Sequence, residues 1–293
     1  MLLTIFTPTY NRASTLPRLY QSLLKQKCKE CFEWLVVDDG SIDDTKTLIG
    51  GYIEENIINI RYVYKENGGK PSAFNEGIDS AEGKLFFCVD SDDWITDNAV
   101  DIIKERSEEL FNNQKIGGMA GLCVDINGEL LEKPLRKEIV SNTIVMKDKY
   151  RAKDKSEIYK TLLLKQYRFL IFEGEKFIPE AMVFDKFSIE YPFLYTNDIL
   201  KGVEYLCGGL TDNMLKIRLD SINGTIAYYE QRVAMTRGLK WVIKALINYG
   251  RFNRHAGIKK SPQKHKLLYF FITPLCGYMY RKDLQSKKQF LKK

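Results

Sequence analysis

Histidine is nearly absent from this 293-residue chain, which has only His255 and His265. A Ser-His-Asp triad or a metal site built from several imidazoles has almost no material here, so carboxylates are the expected catalytic groups. Cysteine is also sparse. Cys28, Cys31, Cys88, Cys123, Cys207 and Cys276 are scattered through apolar contexts without the spacing of a disulfide framework, which fits reduced, packed thiols in a reducing compartment. Cys28 and Cys31 have no second Cys or His pair at zinc spacing. A bilayer-spanning helix needs about 20 apolar residues. Leu267–Tyr280 offers fourteen uncharged ones, interrupted by Pro274 and Gly277. Repeats and low-complexity stretches are absent, which excludes a solenoid or a long linker. The start, Met1–Phe6, lacks a basic region and soon meets Pro8, so it reads as a buried strand and not a signal peptide. These absences predict a cytoplasmic protein.

The composition that remains is globular, with 44% hydrophobic and 28% charged residues, and the length suits about two domains. The net charge of +7 hides an asymmetry. Residues 233–293 hold 15 Lys/Arg against one acid, Asp283, a net of +14 that leaves −7 for residues 1–232. An acidic body with a basic tail is the implied layout, divided near residue 230.

Over the first 125 residues, short apolar runs alternate with amphipathic helical patterns, the signature of a parallel sheet covered by helices. Strands are expected at Leu2–Phe6, Trp34–Val37, Ile60–Tyr64, Leu85–Val89 and Met119–Val124. Leu16, Leu19, Tyr20, Leu23 and Leu24 form the buried stripe of the first helix, whose opening turn Ser14 and Pro17 suit. Further helices are expected near 43–55, 72–81 and 97–111. The region 126–215 is less regular, with a charged helical stretch at Lys149–Lys165 and aromatic segments at Tyr167–Phe172 and Phe184–Tyr195.

Polar clusters follow the strands: Thr7–Arg12 after the first, Asp38–Ser41 after the second, and Asp90–Asp93 after the fourth, with Asn67-Gly68-Gly69-Lys70 in the turn before. Parallel strands present their C-terminal ends on one edge, so these clusters should converge on one cleft. Asp90, Asp92 and Asp93 put three carboxylates within four residues, where mutual repulsion calls for a cation. Oxygen ligands select Mg²⁺ or Mn²⁺. The same acids would also suit the start of a helix near Thr96. Asp38 and Asp39 could equally serve a turn before Gly40, and strand alternation turns only one of them easily toward a ligand. Gly68-Gly69-Lys70 is no Walker loop, because the earlier glycine is missing and Pro71 follows. The glycines permit close backbone approach, and Lys70 can act as a point charge beside a diphosphate.

Thr7-Pro8-Thr9-Tyr10-Asn11-Arg12, Val36–Ser41, Gly68–Ile78 and Asp90-Ser91-Asp92-Asp93 together resemble family 2 glycosyltransferases of the GT-A fold, in order and spacing. The resemblance covers residues 4–93. It implies an α/β catalytic domain at 1–230, with a central mostly parallel sheet flanked by helices. Residues 1–125 would form its nucleotide-sugar part and 126–230 its acceptor side, followed by a basic, mainly helical extension at 231–293. It also implies that Pro8, Tyr10 and Asp39 hold the base of a UDP-sugar beside Asp38, with Arg12, Asn75 and Ser91 in the same donor site. Asp90 would touch ribose or donor sugar, and Asp92 would bind Mn²⁺ or Mg²⁺ on the diphosphate. Phe74 stands where the family often carries an arginine, which leaves Lys70 to supply the positive charge. The family's catalytic base maps best onto Glu180, with Glu173, Glu175 and Asp185 as alternatives and Ala181 in place of the usual following Asp. The Gln-x-x-Arg-Trp motif of processive synthases is missing, which disfavours chain polymerisation.

The implied activity is inverting transfer of a sugar to an acceptor hydroxyl on a glycan or lipid-linked chain of a cell-surface polysaccharide or glycolipid. A sugar-nucleotide nucleotidyltransferase would need a glycine-rich triphosphate loop, and residues 4–16 contain no glycine. A nucleic-acid arm would explain the tail's charge but not Trp241, Leu267, Leu268, Phe270 and Phe271. An anionic membrane surface, at the inner face of the cell membrane, accounts for charge and apolar residues together. Packing of those residues on the catalytic domain, or on a second subunit in a homodimer, is the alternative.

Overall fold

The computed structural model describes residues 1–204 and 213–290, so Cys207 and the last three residues of the tail lie outside the described residues. The first unit comprises residues 1–169 and 183–206, and the second 170–182 and 207–293. The charge step near 230 therefore falls inside the second unit.

The first unit opens with β1 (Leu3–Thr9), α1 (Leu16–Leu24), β2 (Phe32–Asp38), α2 (Thr45–Glu55), β3 (Asn59–Tyr64), α3 (Lys70–Ser80) and β4 (Leu85–Cys88). It continues through β5 (Trp94–Ile95), α4 (Ala99–Asn112), β6 (Gly118–Val124), β7 (Ile139–Ser141), α5 (Thr143–Tyr150), β8 (Ser156–Lys160) and α6 (Thr161–Leu164). Helix α7 (Ala181–Glu190) then leads into β9 (Phe193–Gly202). The sheet runs β3-β2-β1-β4-β8-β6-β9-β5, with β7 beside β9. The first four strands in that order pair in parallel, whereas β8 is antiparallel to both β4 and β6. The sheet is thus mixed, parallel on the side that carries the polar clusters.

All seven positions of β1 and of β2 are buried, as expected for strands covered on both faces. Helix α1 lays Leu16, Leu19, Tyr20 and Leu23 onto them. Thr15 stands at its cap position without a side-chain cap, and Pro17 occupies the first turn, where its missing N–H costs nothing. Tyr20, Trp34 and Tyr52 stack, and the Trp34 indole donates to Thr7 Oγ1 at 3.0 Å. Helix α3 crosses β1 so closely that a Cβ on Gly77 would lie 2.2 Å from the Phe6 ring.

Two expectations are corrected. The charged stretch Lys149–Lys165 is not one helix: α5 ends at Tyr150, Arg151 turns the chain with φ +54°, and β8 follows as an inner strand. Pairing on both sides and burial of Ile158 and Tyr159 outweigh the helical preference of the lysines. Cys28 and Cys31 are not separate thiols but a disulfide, because a 3₁₀ turn at Lys29–Cys31 brings their Cα atoms to 5.3 Å. Cys88, Cys123 and Cys276 form no disulfide among the described residues.

The second unit holds α8 (Met214–Asp220), α9 (Ile222–Met235), α10 (Leu239–His255) and α11 (Lys266–Phe290). Its core joins Tyr229 and Val233 of α9 to Val242, Leu246, Tyr249 and Phe252 of α10 and Ile272 and Cys276 of α11. No helix among the described residues is long and apolar enough to cross a membrane.

Candidate functional site

Strand register sets the site. Thr9 lies opposite Asp38, Phe6 opposite Cys88, and Asp38 opposite Tyr64, so the ends of β1, β2, β3 and β4 share one edge of the sheet. Backbone bonds carry the edge onward: Asp39 N donates to Thr9 O and Lys65 N to Asp38 O, each at 2.9 Å. The polar clusters and the Gly68-Gly69 turn therefore stand together where open α/β sheets bind ligands.

The loops after β1 and β2 are stitched to each other. Asn11, with φ +53°, donates its N–H to Ser41 Oγ at 2.8 Å and accepts from Ile42 N through Oδ1 at 2.8 Å. Asp43 accepts from Ala13 N at 3.0 Å and from the Thr45 hydroxyl at 2.6 Å. Burial works to raise the Asp43 carboxyl, but these hydrogen bonds outweigh it and hold the group below its ordinary value. Pro8 is buried opposite Val37, while Tyr10 is 48% exposed on the loop.

Asp38 and Asp39 are both buried. Asp38 accepts from Ser41 N at 2.8 Å and from the Tyr62 hydroxyl at 2.5 Å. Asp39 takes Lys65 Nζ at 2.8 Å and the backbone N–H groups of Gly68 and Gly69 at 2.9 and 2.7 Å. The glycine amides thus grip a carboxylate of the protein itself. A Cβ on Gly68 would meet Ser72 Oγ at 2.8 Å, and Gly69 adopts φ +85°, which is why this turn calls for glycines. Two buried polar atoms, Thr9 Oγ1 and Asn67 Oδ1, have no hydrogen-bond partner. Both atoms lie at the edge of the sheet where the polar clusters meet.

The acidic triplet is not left to repel itself. Lys70 Nζ lies 2.8 Å from Asp90, and Lys201 of β9 lies 2.9 Å from the buried Asp93. Burial would raise the Asp90 carboxyl, but Lys70, Lys201 and Arg12 outweigh it and hold it below the ordinary carboxylate range. Burial pushes Asp93 up to about 6 even against Lys201, with Asp90 and Asp92 adding repulsion. Burial also opposes the charge on Lys201, yet Asp93 and Asp90 hold its proton above the usual lysine range. Asp92 differs from both neighbours. Its nearest cation is Arg12 at 4.0 Å, its side chain is 24% exposed, and Arg18 holds its backbone oxygen. Arg18 in turn pairs with Glu204 at 2.6 Å and lies over the Trp94 ring at 4.6 Å. Ser91 is buried between these acids.

Two lysines, and not a metal cation, relieve the repulsion expected among these three acids. A cation caged by three carboxylates does not fit this geometry. One carboxylate, Asp92, together with oxygens of a bound diphosphate does fit the way Mg²⁺ and Mn²⁺ are held beside phosphates. Lys65, Arg18, Tyr62 and Lys201 escaped the sequence reading; Lys65 and Arg18 flank motif segments, but nothing local marks Lys201.

Asn75, expected at the donor, bonds the backbone of Phe169. Its amide donates to Phe169 O at 3.0 Å and accepts from Phe169 N at 2.9 Å. Among the candidate bases, Asp185 is buried and accepts from Thr143 Oγ1 at 2.6 Å, with Lys147 at 3.4 Å. Glu175 caps α9 by accepting from Asn223 N at 2.7 Å and Gly224 N at 2.8 Å. Glu180 is half-buried in the second unit, just ahead of α7, and Glu173 is exposed.

A family model described as "Glycosyl transferase family 2" matches residues 4–167. An uncharacterized glycosyltransferase of Rickettsia prowazekii is 39% identical over 100 residues, 34% of this chain and 30% of that protein. The poly(ribitol-phosphate) beta-N-acetylglucosaminyltransferase TarS of Staphylococcus aureus is 28% identical over 167 residues, 56% of this chain and 28% of TarS. The matches thus span less than a third of either relative's length. The crystal structure of TarS residues 1–349 in complex with UDP-GlcNAc superposes with a TM-score of 0.61 at 20% identity, covering 99% of this chain and 92% of that one. The mannosyltransferase PcManGT of Pyrobaculum calidifontis, in complex with GDP-Man and Mn²⁺, gives 0.53 at 16% identity, covering 94% and 84%.

Proposed function

The chain belongs to glycosyl transferase family 2, and from that premise we propose an inverting glycosyltransferase that moves a sugar from a UDP-linked donor to an acceptor hydroxyl in cell-surface polymer synthesis. The observation that carries this reading is the shared edge of β1, β2, β3 and β4, where, among the described residues, Asp92 is the one acid of its triplet without a lysine at short range. Pro8, Tyr10 and the Asp38–Asp39 pair border the place for the base. A carboxylate accepts at about four lone-pair positions, so Asp38 and Asp39 keep capacity for a uracil imide N–H beside their protein donors.

Asp92 would hold a divalent cation, whose charge would offset that developing on the departing diphosphate. Lys70 and Arg12 add positive charge at the same edge, and Asp90, kept ionised by Lys70, accepts from ribose or sugar hydroxyls. Glu180 takes the proton of the acceptor hydroxyl, the acceptor oxygen bonds to the anomeric carbon, and the bond from that carbon to the diphosphate breaks. Glu180→Gln is expected to keep UDP-sugar binding and to lower turnover by about 10²–10⁴-fold. A normal rate in that variant would move the base elsewhere.

For the acceptor we infer a phosphate-bearing chain, as the name of TarS states for that enzyme. A cavity of about 730 Å³ in the first unit is lined by apolar residues including Leu135 and Tyr150 and by Lys133, Arg136, Lys137, Arg151 and Lys153. Its one acid, Glu132, is paired with Lys155. Asn197 of β9 holds this lining segment by exchanging hydrogen bonds of 2.8 Å with the Leu135 backbone. Lys201 follows four residues along the strand, on the order of 13 Å at most. A polyol-phosphate polymer should accept sugar, and Arg136→Glu should raise its KM while sparing donor hydrolysis. Equal KM values would remove the cavity from the acceptor path.

A further inference from the structure

Helix α11 presents an apolar face that is exposed among the described residues. Leu267, Phe270, Phe271, Leu275 and Tyr278 are 74%, 73%, 69%, 50% and 61% exposed. Their spacing of three and four residues aligns them along one side of the helix, over about 17 Å at 1.5 Å per residue. The opposite side is committed elsewhere: Ile272 and Cys276 are buried in the core of the second unit, and Asp283 is 4% exposed. The exposed face is therefore a second hydrophobic surface on a helix that has already packed its first. Pro274 lies within it and is exposed.

Charge selects the occupant. The exposed residues Lys264, Lys266, Arg281 and Lys282 bracket the face at its two ends, with Lys259 and Lys260 just before it. Asp283, the single acid of residues 233–293, is turned inward onto Arg251 at 2.5 Å and His255 at 2.9 Å, so it offers no negative charge to a partner. Large apolar and aromatic side chains between clusters of lysine and arginine are the makeup of a helix that lies in the headgroup region of an anionic bilayer. We propose that the second unit docks on an anionic phospholipid surface by inserting Leu267, Phe270, Phe271, Leu275 and Tyr278, with the flanking cations on the headgroups. This docking is independent of which sugar is transferred.

The test is sedimentation of the full chain with vesicles of phosphatidylglycerol and phosphatidylcholine, or of phosphatidylcholine alone, at low and high salt. Wild-type protein should sediment with the anionic vesicles, and less so as salt rises. F270S/F271S should weaken that partition by about tenfold or more while its thermal melt stays unchanged, because both side chains are already in water. Ile42→Ser, at an exposed apolar site of the first unit, should change nothing. Equal binding to both vesicle types, or full binding by F270S/F271S, would overturn the proposal. A wild-type dimer that F270S/F271S converts to monomer without altering vesicle binding would also overturn it, and would assign the face to a second copy of this chain.

Discussion

Lys70 and Lys201 decide what each acid of the Asp90–Asp93 segment can do. With Asp90 and Asp93 each beside a lysine, Asp92 is the carboxylate left to face a cation, and Arg18 fixes its backbone. Removing one partner of a buried pair leaves an uncompensated charge, so Lys201→Met should destabilise the first unit by about 3–5 kcal/mol in denaturant titration. The double variant K201M/D93N should recover most of that loss, since the coupling between touching residues is not additive. If the double variant were as unstable as the single one, the pair would not be the reason. Lys201 shows the limit of reading such a site from sequence. The triplet and its strand are local signals, whereas the partner of Asp93 comes from a distant strand whose place in the sheet no spacing encodes. Asn75 teaches the converse, because a motif residue can be used as a backbone clamp.

Among the elements, the five strands expected in the first 125 residues are all present, because alternating apolar runs and helical stripes are properties of short windows. Strand β8 was illegible for the opposite reason: the charged residues in and around it favour a helix, and only the gap between β4 and β6 makes it a strand. Helix α3 supplies a test of close packing. Gly77→Ala would set a methyl against the Phe6 ring and should cost about 1–3 kcal/mol through overpacking. Helices α10 and α11 are joined by Asp283, where burial opposes ionisation but Arg251 and His255 outweigh it and hold the carboxyl below its ordinary value. A depressed carboxylate stabilises the fold above the unfolded value of about 3.9, and that contribution is lost as pH falls below it. Asp283→Asn should therefore destabilise by about 3 kcal/mol at pH 7, with the difference from wild type shrinking as the pH is lowered through about 4 toward 2. A difference that stays constant with pH would contradict the pairing.

For the whole molecule, the charge step near residue 230 is real in the sequence but is not a seam in the second unit. Tyr229 and Val233 share one core with Leu246, Tyr249 and Cys276, so deleting residues 233–293 should leave α9 without its packing and yield aggregated protein, which light scattering would register. A soluble truncation that melts like the full chain would contradict that shared core. The two units thus do not coincide with the acidic body and the basic tail: the first carries the edge of the sheet with Asp38, Asp39 and Asp92, and the second carries Glu180 together with the cationic helices. The central claim, a UDP-sugar site with Asp92 as its cation ligand, is tested most directly by titrating UDP into wild-type protein and Asp92→Ala, with and without Mn²⁺. Wild type should bind UDP more tightly when Mn²⁺ is present, and Asp92→Ala should bind it equally weakly in both conditions. A full Mn²⁺ enhancement in Asp92→Ala, or no binding of UDP by wild type at all, would contradict the assignment.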